Sequence, residues 1–421
     1  MDLIIYTLKS VATAIVEPLH LLMLIIMGVM FYLKNRRISI VQRMTIGESL
    51  DSPLELTLSQ IVLGIVAGAI GSLILSILGV TFNENSGVEF VFMISILMLF
   101  YKSKFIDFAY SSTILAILSL AFNILANVLN QKAFINVNIL SLMTFIGVIY
   151  AIQGALTIID GSRGAIPVFT SKNGKIIGGF SLNRYWALPI AIFMIFNGQI
   201  SSGTSSMNAP NWWPLINSTK TLSILATAML ASIPFYGVIG YNAVTFTKQK
   251  KEKAFHSGAM SLIYGISVMA VAQLSNFGIV GEIITVIYVP LAYEGILRYQ
   301  RRNEAKGEYL YVSDDEGISI LEVAPSSPAF EAGIRRGDKI LAINDEIIES
   351  ETDIFKIARD SIFKLKIKIK KDAGNIVEYL VQPRNKRLGI LLVPKVVKEE
   401  NVLGVGKDDF KKMLEDLRNK K

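Results

Sequence analysis

The sequence predicts a polytopic α-helical membrane bundle of about nine spans followed by a cytoplasmic α+β domain. Three observations carry this. Charge is unevenly spread: residues 1–297 hold 29 Lys, Arg, Asp and Glu, whereas the remaining 124 hold 47. The first part contains repeated apolar runs, several approaching the roughly 20 helical residues that cross a hydrocarbon core. After Gly307 the hydrophobic period changes from helical to strand-like. The chain is thus expected to divide into a membrane domain at 1–297, a basic juxtamembrane linker at 298–306, an α+β domain at 307–396 and a charged amphipathic tail at 397–421.

Nine spans are predicted, at 15–33, 58–80, 88–101, 105–128, 134–159, 185–200, 221–246, 257–277 and 279–297, with seven or eight left open because the third is short and the last two nearly touch. The N-terminal segment lacks a basic n-region and a small-residue cleavage site, so it is read as a peripheral or tilted lead-in. If the spans alternate, one set of loops carries fourteen Lys and Arg, including Lys34, Arg163, Lys172, Arg184 and Lys250, against three (Lys9, Lys132, Lys220) on the other. Such asymmetry places the N-terminus outside and the C-terminal domain in the cytoplasm. It also explains the formal +8 charge without invoking nucleic acid. Trp212 and Trp213, in an uncharged outer loop, suit the interfacial aromatic belt. Gly64 and Gly68, four apart in "GIVAGAIG", allow two helix backbones to approach closely.

Cysteine is absent and His20 and His256 are the only histidines. The chain therefore has no disulfide, no thiolate nucleophile and no HExxH zinc motif, and no catalytic residue, metal site or cofactor is expected. Glu17 and His20 share a helix face and are expected to pair. Asn123, Asn127 and Asn130 form a stripe that either joins helices or lines a pathway.

In the tail, "EYLYVSDDEGISILEV" reads as two short strands around an acidic, Gly-containing turn. Ser327 is a predicted N-cap, with Pro328 at the first helical position and Gly333 just past the end of one short helix. "GDKILAIN" returns as a strand. Ser350, with Asp353 three residues on, starts the one longer helix in capping-box fashion. "FKLKIKIK" alternates Leu365, Ile367 and Ile369 with lysines, as a half-buried strand does. "IVEYLV" and "RLGILLV" complete the series.

This order, with "SPAFEAGIRRGDKILAIN", "SETDIFKIA" and "LGILLVPK", resembles a PDZ domain of the kind found in bacterial trypsin-like and site-2 proteases. One departure is Asp345, where that family usually has Gly; Asp tolerates the left-handed conformation such a turn needs. The resemblance implies peptide capture by strand addition beside the long helix. Its expected site residues are Ile354, Phe355 and Ala358 on the helix. On the strand side they are Tyr309, Leu310 and Tyr311 in "GEYLYV" or Leu388, Gly389 and Ile390 in a loop resembling the family's carboxylate cradle, and the two remain open. Many spans followed by one such domain, without protease motifs, also resemble the MinJ family of cell-division topological determinants in Gram-positive rods. That resemblance implies a scaffold in the lipid bilayer, enriched at septum or poles, that bridges the pole-marking protein DivIVA to the ATPase MinD. A partner or regulator of a separate membrane protease, and a transporter with an appended PDZ domain, are the alternatives.

Overall fold

A computed structural model describes residues 2–83, 86–91, 94, 107–131, 134–172, 174–196, 213–216, 229–348, 350–371 and 374–395. Its helices are α1 (Asp2–Val16), α2 (Pro18–Ile46), α3 (Pro53–Leu78), α4 (Phe108–Leu129), α5 (Ile139–Asp160), α6 (Lys250–Ala272), α7 (Ile279–Lys306), α8 (Pro328–Glu331) and α9 (Glu351–Asp360). Among the described residues, six helices are long and apolar enough to cross a membrane: α2 to α7, with α6 extended to Phe277 by a 3-10 turn. Their ends follow local chemistry. Pro18 opens α2, and Glu17 before it is extended (φ −58°, ψ 131°), which parts α2 from α1. Asp107 and Asn138 cap α4 and α5 by accepting the N–H groups of Ala109 and Ser141. Gly47 and Gly79 close α2 and α3 in the left-handed conformation.

The predicted spans at 15–33, 58–80, 105–128, 134–159, 257–277 and 279–297 fall on these six helices. The span at 88–101 lies largely outside the described residues. The linker at 298–306 is the last turns of α7. Two spans are corrected. From Tyr185 to Phe196, and from Met229 to Thr245, the chain is strand. These segments belong to β3 (Lys175–Phe196) and β4 (Met229–Thr245), paired antiparallel from Phe180↔Thr245 to Phe196↔Met229. At about 3.3 Å per residue, the apolar part of β3 is about 40 Å long, ample for a hydrocarbon core of about 30 Å. An apolar run reads alike for a buried strand and a buried helix, so length alone misassigned them.

β3 organises a five-stranded sheet. β2 (Ile166–Lys172) and the parallel β1 (Thr81–Asn83) flank one edge at its two ends; β4 and β5 (Tyr311–Val312) share the other. Between β2 and β1 the edge would present bare peptide groups, which lipid cannot satisfy. α3 fills that gap. Gly64 and Gly68 lie so close to the carbonyls of Ala187 and Pro189 that a Cβ at either would collide. Pro189 has no N–H to satisfy, and the N–H of Ala191 donates to Ser72 Oγ at 2.9 Å. The Gly64–Gly68 pair therefore meets a strand, not a helix. Helix-to-helix approach occurs instead between α5 and α6, where Gly147 faces Gly265 and Gly154 faces Gly258.

Polar ties lock the charged end. Asn35 on α2 donates to Thr57 Oγ1 (3.0 Å) and Gln60 Oε1 (2.7 Å) on α3. Asp160 at the end of α5 accepts from Arg184 Nε (2.9 Å) and Trp186 Nε1 (3.0 Å), all three side chains being buried. Glu17 and His20 pair as expected, at 2.7 Å. Of the amide stripe, Asn123 donates to Asn136 and so joins α4 to the following segment, while Asn127 and Asn130 are exposed. Trp213 is buried, donating to the Ser76 carbonyl near the end of α3 at 2.6 Å; Trp212 is outside the described residues.

The C-terminal domain is a second sheet in the order β10-β9-β7-β6-β11: β6 is Ile318–Val323, β7 Lys339–Ile343, β9 Leu365–Lys370, β10 Ile376–Val381 and β11 Ile390–Leu392. A two-residue strand, β8 (Glu346–Ile347), hairpins onto β7. Its turn is Asn344-Asp345, both left-handed (φ 52° and 68°), so Asp345 forms the turn without Gly. Leu365, Ile367 and Ile369 are buried while the lysines between them are not, as the alternation predicts.

Candidate functional site

β11 is a terminal strand of its sheet, and its register sets which backbone groups are free. The Ala324 N–H donates to the Gly389 carbonyl (2.9 Å) and the Val393 N–H to the Ser319 carbonyl (2.9 Å). Leu391 pairs with Glu322 between them, with a register shift before Leu392. In an antiparallel pair the direction of backbone bonding alternates along each strand, so Ile390 and Leu392 turn their N–H and C=O groups away from β6. Among the described residues nothing pairs with that edge.

The approach to this edge is shaped by turn chemistry. Asn385 and Lys386 are both left-handed (φ 52° and 61°), closing Arg384 onto Arg387. Gly389 has φ 72°, and a Cβ there would collide with Ser327. Ser327 caps α8 as predicted, accepting the Phe330 N–H at 3.2 Å. The Leu388 carbonyl accepts from the Ala329 N–H at 3.3 Å. α8 thus holds the Leu388 carbonyl and Ala324 the Gly389 carbonyl, and the N–H groups of Leu388 and Gly389 find no partner among the described residues. Beside this loop an open cavity of about 550 Å³ lies among Pro328, Glu331, Lys364, Leu380, Pro383 and Arg384. Arg384 is matched by Glu331 at 3.2 Å, which leaves Lys364 as the cavity's unmatched cation among the described residues.

Across the domain, α9 starts at its predicted cap: the Ser350 N–H and hydroxyl both donate to Asp353 Oδ2, at 3.1 and 2.7 Å. Asp353→Ala should therefore cost the domain about 1 kcal/mol and fray α9 first, as hydrogen exchange of its amides will report. Ile354 and Ala358 are buried and share one apolar cluster with Leu388, Ile390 and Leu392. Phe355 stands 51% exposed. The structure thus gathers the helix candidates and Leu388–Ile390 in one domain. Sequence reasoning missed Ser327 and Leu392; the first was legible only as a cap, although its side chain also fixes the room at Gly389.

The other strand-side candidate lies against the sheet of the first domain. Tyr311 is 2% exposed and pairs with Gly178 of β3, while Val312 pairs with Ile177. Its ring packs edge-on against Phe180, with centroids 5.7 Å apart. The Leu310 N–H donates to the Phe246 carbonyl at 3.1 Å, and Tyr309 accepts from Lys172. In "GEYLYV", Tyr311 and Val312 thus have one edge taken by β3.

Electrostatics hold the domain's corners. Burial works against the Asp314 carboxylate, but Lys339 and the N–H groups of Gly317 and Glu316 hold its pKa below the ordinary value. Lys371 is likewise held above its ordinary value by Asp338, at 2.9 Å, in spite of partial burial.

The PDZ domain family matches residues 319–369. The cell division topological determinant MinJ of Bacillus subtilis (strain 168) is 20% identical over 226 residues, 53% of this chain. The alignment likewise spans 53% of that relative, about half its length. The chain thus carries a PDZ domain behind a set of long apolar helices and is MinJ-like.

Proposed function

We propose that the protein is a membrane-anchored, non-enzymatic adaptor. Its PDZ domain, taken as 307–396, captures a peptide segment of partner proteins by strand addition at β11. The observation that carries this reading is the outward backbone of Ile390 and Leu392 on a terminal strand, beside a loop whose N–H groups at Leu388 and Gly389 are unpartnered among the described residues. Main-chain bonds supply affinity in that mode and flanking pockets supply selectivity. The cations assigned to one face support a cytoplasmic site: Lys34, Arg184, Lys172 and Lys250 lie at the end of the molecule that carries the PDZ domain.

The likeness to a cell-division topological determinant suggests a role at the division site, and bridging of DivIVA to MinD is the finer form of that proposal. Gly389→Asp tests the capture step, because it introduces a side chain where Ser327 leaves no room and a negative charge beside the N–H groups that have no partner among the described residues. With a photo-crosslinker at exposed Phe355, the wild-type chain should form discrete adducts in cells. The variant should lose them while remaining in the membrane fraction. Undiminished adducts would refute strand addition at β11. A fluorescent fusion spread evenly around the cell would remove the division role and leave the adaptor.

A further inference from the structure

The PDZ domain is not suspended from the bundle by a free linker. α7 runs unbroken to Lys306, and β5 then joins the sheet of the membrane domain on the same edge of β3 as β4. Behind it, the strands that form the peptide site press on that sheet. A Cβ at Gly178 would sit 2.8 Å from Val393 Cγ2 and 3.1 Å from Leu321. Leu321 and Val393 belong to the core of the membrane domain, and Leu391 packs against it. β11 is therefore held from both faces: Ile390 and Leu392 point into the PDZ core and Leu391 into the membrane domain.

One ion pair pins this contact. Lys250, the first residue of α6, meets Glu322 of β6 at 2.8 Å, and Glu322, opposite Leu391 in the ladder, is 5% exposed. Lys250 also lies over the Phe180 ring, 5.6 Å from its centroid. Arg336 is the other cation near Glu322, at 4.0 Å. Above the pair, Ser313 closes the end of β11 by donating to the Val393 carbonyl at 2.5 Å while accepting the Ser319 N–H.

We propose that Lys250 and Gly178, residues of the membrane domain, are positioning residues for the peptide edge of the PDZ domain. The proposal rests on β11 being that edge. A strand that accepts a guest must be ordered beforehand, or the guest bears the entropy of ordering it. Three residues of β11, paired on one side only, are a short strand to stay ordered alone. Contact with β3 through Leu391 and Val393, fixed by the Lys250–Glu322 pair, supplies that order. The site is thus shared between the two parts of the chain, and the orientation of the captured peptide relative to the bilayer is set by the same contact.

Hydrogen exchange on the full chain in lipid nanodiscs tests this without a ligand. Lys250→Glu places two carboxylates together in a buried contact, and breaking such a pair is strongly destabilising locally. The Leu391 and Val393 amides, which face β6, and the amides of β5 should exchange at least about tenfold faster, while those of β9 and β10 stay as in the wild type. Lys250→Arg should keep wild-type exchange. The swapped pair Lys250→Glu/Glu322→Lys should recover part of the protection, Arg336 opposing full recovery. Unchanged exchange at β11 in Lys250→Glu would overturn the proposal, as would equal acceleration through β9 and β10, which signals unfolding of the whole domain. Failure of the peptide-edge reading itself would be seen separately, as crosslinked adducts that survive Gly389→Asp.

Discussion

Arg184→Met is expected to destabilise the folded chain by about 3–5 kcal/mol, the usual cost of removing one partner from a buried ion pair. Arg184 and Asp160 are 0% and 1% exposed. The guanidinium donates to Asp160 Oδ2, to the Leu56 carbonyl and, at 2.7 Å, to Ser59 Oγ, so one side chain ties β3 to α5 and to α3. Without it the Asp160 carboxylate keeps the Trp186 N–H and Arg163, whose Nη1 stands 3.8 Å from Oδ1. Neither replaces a buried counter-charge. The double variant Arg184→Met/Asp160→Leu should recover most of the loss, because an apolar pair carries no desolvation penalty. Thermal unfolding in detergent, followed by size-exclusion of the fluorescent fusion, ranks the three proteins. Equal stability of single and double variants would show that the cost lies in lost packing rather than in the orphaned charge.

That ion pair illustrates how unevenly the sequence reveals its own structure. Arg184 was legible as a loop cation beside a predicted span, and Asp160 directly follows the predicted span at 134–159. Their union was not legible, because it depends on β3 being a strand. The PDZ domain could be read closely because its turns demand particular residues: Gly333 and Gly337 are left-handed (φ 96° and 86°), Ser327 and Ser350 cap helices, and alternating lysines mark β9. Each of these signals is local. The membrane domain offers fewer. Tyr185–Phe196 is apolar whether helix or strand; only the aromatic and β-branched residues favour a strand, while Pro189 merely disfavours a helix interior. The choice between "GEYLYV" and "RLGILLV" as the peptide edge was beyond local reading altogether. It turns on β3 reaching out of the first domain to claim Tyr311 and Val312.

Gly154→Leu should abolish the fold of the membrane domain, whereas Gly295→Leu should leave it intact. The two glycines both lie in long apolar helices, so the contrast isolates packing from composition. α5 and α6 approach closely through two reciprocal pairs, Gly147 with Gly265 and Gly154 with Gly258, the glycines on each helix seven residues apart. That spacing returns to nearly the same face after two turns and was the unread signal for this contact. A Cβ at Gly154 would lie 2.6 Å from the Gly258 carbonyl oxygen and from the Leu262 N, and one at Gly147 would lie 2.7 Å from the Gly265 carbonyl oxygen. These neighbours are backbone, which cannot rotate aside as a side chain does. The helices must separate, and Tyr150 and Tyr264, edge-to-face across them at 4.7 Å, would separate with them. Overpacking a tight core commonly costs about 1–3 kcal/mol and more where only backbone can yield. In lipid, helix association rests on such close packing with no hydrophobic drive to compensate. At Gly295 nothing lies within 4 Å of the added Cβ. Size-exclusion profiles of fluorescent fusions should therefore show aggregate for Gly154→Leu and a wild-type peak for Gly295→Leu. A monodisperse Gly154→Leu chain would mean that α5 and α6 do not touch along this seam.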